Sequence, residues 1–278
     1  MDQTRLTALI ERFMPEPIAS DDKYSRGVLG VVAGSDQYPG AAALVVAAAQ
    51  TCSVGMVRYF GPDRVANLLL QNHPEVVVAK SVTPDIRVDA WVLGSGVHPD
   101  ASAQHQNIHA ALSFGTPAVV DAGALDLLDY ESLRASQLIL TPHAGELARL
   151  VRRWLPGRSD LFATESDLVR AEAARELSAR IGQTLLAKGS VTFIASPAGS
   201  FAPLGPNDPH LATAGSGDVL AGLLGGFAAH HFEGWFEPAQ VAVLLHSAMA
   251  TAASRVGPVT ASELPRFLPD AREILEGN

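Results

Sequence analysis

Cysteine is nearly absent from this chain. One residue in 278, Cys52, carries a thiol, so no intrachain disulfide can brace the fold, and the composition suits a reducing compartment. Cys52 lies in the apolar run VVAAAQTCSVGM, where a buried small residue is the expected role. Long uncharged runs are missing too: no segment reaches the ~18 apolar residues of a membrane span. The N-terminal MDQTRLTALIERFMP carries acids and has no export core. These absences lead us to expect a cytoplasmic protein. Dense basic clusters are also lacking. The formal charge is -9, spread along the chain without an acidic tail, which argues against nucleic acid as a partner. Neither a fixed-period repeat nor a low-complexity linker occurs, and PGRSD at 156–160 reads as an exposed loop. Residues 1–278 are therefore expected to form one domain.

Nearly half the residues are apolar, enough for a sizeable core. Residues 1–14 place Leu6, Leu9, Ile10 and Phe13 on one helical face. Strand and helix patterns then alternate. GVLGVVAG, MVRYF, VVVAK, DAWVLG and TPAVVDAG read as strands, as do short extended pieces of QLILTPHAGE, IGQTLLAKG, SVTFIAS and GSFAPL. PGAAALVVAAAQTCS, DRVANLLLQ and ASAQHQNIHAALSFG read as helices. In TESDLVRAEAARELSARIG, Thr164 is the expected cap, with Asp167 three residues on. The last third reads as helical. This order predicts an α/β fold, with a central, mostly parallel β-sheet flanked by helices on both faces.

In such sheets the site lies beyond the C-terminal strand ends. AGSDQYPGA lacks the tight glycine fingerprint of dinucleotide folds and the P-loop pattern; the amides of Gly40 and Ala41 at a helix start are its candidate ligand donors. In LGSGVHPD, Gly94 and Gly96 allow close backbone approach, and Asp100 is the expected cap of the next helix. Histidines 98, 105 and 109 have no carboxylate or cysteine to complete a convincing set, so no metal ligand is assigned. TPHAGE places His143 and Glu146 where a strand yields to a helix; Thr141 as cap and Glu146 as first-turn acid is the alternative to a ligand role. AKGS puts Lys188 after a strand, with Gly189 permitting close approach of a phosphate.

The most informative stretch is LATAGSGDVLAG at 211–222. Gly215 and Gly217 permit turns that direct amides at 215–218 into the mouth of a helix, an anion hole. A carboxylate beside phosphate is repelled. Asp218 makes chemical sense there as the base that takes a proton from a hydroxyl attacking phosphorus. The alternative is an ordinary capping aspartate.

NDPHLATAGSGDVLAGLLGG, TPHAGE, GSDQYPGAAALVVAAAQTCSVGMV and AKGSVTFI, in this order, resemble the signature segments of the nucleotide-dependent NAD(P)H-hydrate dehydratases of the ribokinase-like superfamily. The resemblance runs from about residue 24 to about residue 255. Two segments depart from it. GSGVH stands where G-P-G-L-G is usual, so His98 replaces a glycine, and QTCSVGMV lacks the family's arginine. The resemblance implies ADP-dependent dehydration of the S epimer of hydrated NADH or NADPH, with release of AMP and phosphate and with Mg²⁺ on the nucleotide. It implies that Ala41, Gly96, His143 and Asp218 contact the hydrated dinucleotide. Lys188, Gly189, Ser190, Val191, Thr192, Gly215, Ser216 and Gly217 would contact the nucleotide, with Gly94, Glu146 and Asn207 as accessory residues. Asp218 would be the catalytic base. Relatives often form tetramers, and many carry an epimerase domain, so a homo-oligomer and a separate epimerase are the expected partners. Two rivals stay open: a small-molecule kinase of the same superfamily, acting on a vitamin-precursor alcohol, and a nucleotide sensor without chemistry.

Overall fold

Short, β-branched apolar runs closed by glycine or polar residues form the strands, and alanine-rich runs form the helices between them. The structure is a computed structural model and describes residues 2–135, 137–230 and 232–277. Helix α1 (Gln3–Phe13) leads into β1 (Val28–Val32), α2 (Gly40–Thr51), β2 (Met56–Phe60), α3 (Asp63–Asn72), β3 (Val77–Ala79) and β4 (Ala90–Leu93). Then follow α4 (Ser102–Leu112), β5 (Ala118–Val120), α5 (Tyr130–Ala135), β6 (Leu138–Leu140), α6 (Ala144–Trp154) and α7 (Asp167–Ile181). The chain continues as β7 (Thr184–Ala187), β8 (Thr192–Ala195) and β9 (Phe201–Leu204). It closes with α8 (Ser216–His230), α9 (Phe236–Ser254) and α10 (Leu268–Glu276).

The strands make one sheet in the order β3-β2-β1-β4-β5-β6-β7-β8-β9. Strands β1 to β7 run parallel. Strands β8 and β9 continue the sheet antiparallel. Strand alternation divides the core. Leu29, Val31 and Val92 face α2, α8 and α9, whereas Val28, Val32 and Leu93 face α4, α6 and α7. Helices thus cover both faces, as the alternating pattern predicts. Leu6, Leu9, Ile10 and Phe13 are buried together on α1. Cys52 is fully buried, and burial pushes its thiol up to about 12, leaving it inert.

Two expected caps are not made. Thr164 is buried and donates its hydroxyl to the Ala144 carbonyl at the start of α6. It therefore ties α6 to the α7 entry, and α7 starts after Ser166 without a side-chain cap. Asp100 gives its amide to His98 Nδ1 at 3.2 Å. That turn delays the helix, so Ala101 becomes the N-cap of α4 and Asp100 caps nothing.

Small residues fix how α8 lies on the sheet. A Cβ on Gly222 would stand 2.4 Å from the Val45 carbonyl oxygen and 2.8 Å from Ala48 Cβ, both on α2. This close helix contact sets the height of the α8 N-terminus above the strand ends. Gly222→Val should lower stability by about 1–3 kcal/mol through overpacking. The check is the urea midpoint at unchanged slope.

Candidate active site

The loops after the parallel strands β1, β4, β5, β6 and β7 open at one edge of the sheet, and the turn before α8 joins them there. Gly215 has φ +88°, a left-handed turn that glycine accepts without strain. This turn starts α8, whose ladder opens with the Val219 amide on the Gly215 carbonyl. Ser216 and Asp218 donate their amides to the Thr213 and Gly215 carbonyls. Among the described residues, the amides of Gly215 and Gly217 have no intrachain partner. The expected four-amide hole is therefore narrower, with two donors free at the helix start. The Ser216 hydroxyl is also committed, donating to the Leu211 carbonyl at 2.8 Å.

Lys188 Nζ lies beside this turn, 3.3 Å from where a Gly217 Cβ would stand. Its amide donates to the Pro142 carbonyl at 2.8 Å, which joins the β7 end to the TPHAGE loop. Its ammonium donates to Asp121 Oδ1 at 2.7 Å. The Lys188 side chain keeps 20 % exposure while Asp121 has 2 %, so the lysine offers its open side to the site and the aspartate anchors it from beneath. Asp121 also accepts from Thr141 Oγ1 at 2.7 Å and Ser95 Oγ at 2.8 Å. Burial works against charge in Lys188, but Asp121, Glu146 and Asp218 outweigh it and hold the ammonium above its ordinary value. Burial likewise opposes charge in Asp121, and Lys188 with the two hydroxyls wins, so Asp121 stays ionised.

Asp218 is in the opposite position. It is half-buried, receives no comparable set of donors, and faces the Asp121 charge. Burial first, then Asp121, push its carboxyl up to about 7 against the pull of Lys188. A carboxylate poised there can accept a proton near neutral pH. Behind it, His246 on α9 is buried with Nε2 unpartnered, and burial pushes it down to about 4, so it is neutral.

His143 is the N-cap of α6. Its Nδ1 accepts the Gly145 amide at 3.0 Å, and Glu146 Oε2 accepts the His143 amide at 2.8 Å, a reciprocal capping box. Thr141, the alternative cap, instead turns its hydroxyl to Asp121. The other ring nitrogen, Nε2, lies 3.4 Å from Glu146 Oε1, so both ends of the ring are tied to the start of α6. Ala41 and Gly96 meet across two loops, since a Cβ at Gly96 would stand 2.4 Å from Ala41 Cβ. Ser95 links them to the charged cluster, accepting the Gly34 amide on its carbonyl at 2.7 Å and donating its hydroxyl to Asp121. Gly94 packs under the turn, where a Cβ would clash with the Asp121 carbonyl.

The turn from 188 to 192 is held from below. Asn207 Nδ2 donates to the Gly189 carbonyl and to Thr192 Oγ1, both at 3.0 Å, and its amide donates to the Ser190 carbonyl at 2.7 Å. On the Cβ side of Gly189 stands the buried Arg170 guanidinium, 2.4 Å from a would-be Cβ, which donates to the Val191 carbonyl. Asp121, Ser95 and Arg170 were not singled out from sequence. The signal for Asp121 was available: an acid directly after the buried AVV strand at the edge where ligands bind.

A cavity of about 480 Å³ opens at the other end of the sheet between Tyr24, Arg87, Asp89 and His230. It meets the carboxyl end of α8, and none of the clustered side chains lines it. Chemistry thus points to the Asp218 edge. Among the described residues, no three His, Cys, Asp or Glu side chains converge to hold a metal ion.

Fold and site together define the class: an α/β protein of ribokinase-like fold, with two unpartnered amides at a helix start and a raised carboxylate beside them. A family model described as NAD(P)H-hydrate dehydratase matches residues 29–268, and the chain belongs to that family. It is 41 % identical over 219 residues to the bifunctional NAD(P)H-hydrate repair enzyme of Mycobacterium tuberculosis, covering 77 % of this chain and 43 % of that protein. It thus spans less than half the length of that curated relative. It is 34 % identical over 235 residues to the ADP-dependent (S)-NAD(P)H-hydrate dehydratase of Neisseria meningitidis, covering 81 % and 76 % of the two chains. The crystal structure of the ADP/ATP-dependent NAD(P)H-hydrate dehydratase of Bacillus subtilis, co-crystallised with ATP/Mg²⁺, superposes with a TM-score of 0.82. That pair is 28 % identical, with 99 % of this chain and 97 % of that one covered.

The raised Asp218 carboxyl carries a stability signature. Its folded value of about 7 lies above the ordinary carboxylate range, so its contribution is fully present below that range and is lost as pH rises through about 7. Asp218→Asn should therefore melt higher than the parent at about pH 8 and match it near pH 4. Paired thermal melts across that range check the sign.

Proposed function

We propose that this chain dehydrates the S epimer of hydrated NADH or NADPH at the expense of ADP, restoring the dihydronicotinamide and releasing AMP and phosphate, as a carbon–oxygen lyase. The supporting observation is Asp218. A half-buried carboxylate raised to about 7 at a helix start, with Lys188 beside it, fits a base that serves a phosphoryl transfer.

The chain's residues fit an adenine nucleotide. The free amides of Gly215 and Gly217, with the exposed side of Lys188, offer donors to phosphate oxygens. The turn from Lys188 through Gly189, Ser190, Val191 to Thr192, clamped by Asn207, lies against the nucleotide in this reading, and Ser216 shapes the loop. Mg²⁺ would arrive on the nucleotide, held chiefly by its phosphates and water. When bound, it neutralises charge on the transferring group. Ala41, Gly96 and the half-exposed ring of His143 position the hydrated ring in this reading, with Glu146 and Gly94 supporting their loops.

Asp218 takes the proton of the ring hydroxyl as that oxygen bonds to the terminal phosphorus of ADP and the bond to AMP breaks. The helix amides and Lys188 bear the charge that develops. The ring nitrogen then donates its lone pair, the carbon–oxygen bond breaks, and phosphate leaves. Loss of a proton from the neighbouring ring carbon balances the elimination. Phosphorylation matters because phosphate departs far more readily than hydroxide.

We assign this activity to residues 1–278 as one catalytic unit, acting in the cytoplasm as a homo-oligomer, with a tetramer as the expected form. Epimerisation of the R form lies outside these residues, in a separate activity. No described helix is long and apolar enough to cross a membrane.

Hydrated NADH supplied with ADP should regain NADH absorbance with AMP formed in equal amount. A phosphorylated product that persists would favour the kinase reading, and nucleotide binding without turnover would favour the sensor. Asp218→Asn should lower kcat by ~10²–10⁴-fold while ADP affinity holds or rises. Turnover within about threefold of the parent would remove Asp218 from the base role.

A further inference from the structure

We propose that Asp121 is the positioning residue that fixes the Lys188 ammonium between Asp218 and the free amides of α8. The inference rests on the reading of Asp218 as the base. Asp121 is 2 % exposed and meets three donors from three different loops: Ser95 Oγ at 2.8 Å, Thr141 Oγ1 at 2.7 Å and Lys188 Nζ at 2.7 Å. The two hydroxyls set the direction of the carboxylate. Its Oδ1 is then aimed at Lys188, so the four-carbon lysine stem has one defined end point.

The position of that end point decides two things. Lys188 Nζ lies against Gly217, where it adds a point charge to the free amides. It also faces Asp218, which it would engage as a close ion pair if nothing held it back. Such a pair would weaken the base, since an adjacent cation favours the ionised carboxylate. Asp121 prevents this by retaining the ammonium. Its own negative charge, buried near Asp218, acts in the same direction. The groups facing Asp218 are Asp121 from the β5 end and Lys188 from the β7 end, with Glu146 of α6 acting on Lys188 and the neutral His246 of α9 behind.

The test titrates Asp218 directly by carboxyl ¹³C NMR in nucleotide-free protein, with Asp218→Asn identifying the signal, and measures the KM for ADP alongside. In Asp121→Asn the Asp218 titration should fall by about 1–3 pH units as Lys188 swings to it, and the KM for ADP should rise. In Lys188→Met it should move the other way, upward. A folded Asp121→Asn protein whose Asp218 titrates as in the parent, or two variants that shift it in the same direction, would overturn the proposal. Should Asp121→Asn leave Lys188 unpaired and unfold the chain, Asp121→Glu keeps the charge and moves the carboxylate by one methylene. A fall of the Asp218 titration there reports the displacement of Lys188, and a folded Asp121→Glu protein that titrates as the parent would overturn the proposal. Because the titration needs no turnover, it stands apart from the hydrated-NADH assay. A parent that titrates as expected yet restores no NADH would fail the proposed function and leave the placement of Lys188 intact.

Discussion

A phosphate-binding edge and a carboxylate base make opposite demands on the local field. Phosphate needs positive potential, and a base loses strength in it. In the proposed reading the two demands fall on neighbouring groups. The positive elements are two backbone amides and one ammonium, and the ammonium is tied to a different carboxylate. Asp121 has three donors and remains charged, while Asp218 has none of comparable strength and is raised. Two aspartates with the same intrinsic acidity thus diverge through burial and partners alone.

The fold makes this separation possible by drawing each member from a different strand end. Asp121 follows β5, Thr141 follows β6, Lys188 follows β7, and Ser95 follows β4. Adjacent parallel strands place these residues side by side without any local sequence relation. Helix α8 must then bring Asp218 to the same height. Its glycines let it press onto α2 and onto the sheet, where a Cβ at Gly225 would meet Val92 at 2.3 Å. The small residues along α8 are therefore part of the site, since a wider helix contact would lift Asp218 from the ammonium.

Much of the fold was legible because it is written in local patterns. The short apolar runs became strands, and Leu6, Leu9, Ile10 and Phe13 share the buried face that their spacing required. Caps were less legible, because a cap depends on what else competes for the side chain. Thr164 has the right chemistry for α7 but is drawn to the Ala144 carbonyl twenty positions back. Asp100 is displaced by a histidine two residues away. In the site, Asp218 and Lys188 stood out through their glycine neighbours. Asp121, Ser95 and Arg170 did not, because the partners that tie them into the site lie between 20 and 67 positions away and only the sheet brings them close.

The histidine in GSGVH shows how a departure from a pattern can be absorbed. Gly96 has a left-handed φ of +66° and packs closely against Ala41. Val97 then turns inward and is buried, and its amide donates to the Gly94 carbonyl. His98 follows this closed turn and faces away from it, with its ring against Tyr38 and its Nδ1 on the Asp100 amide. Its carbonyl meets the His105 ring at 3.2 Å, which anchors the loop to α4. A side chain at position 98 therefore changes how the loop joins the next helix. The backbone at Gly94 and Gly96, and with it the seat of Ser95 on Asp121, is decided upstream of that residue.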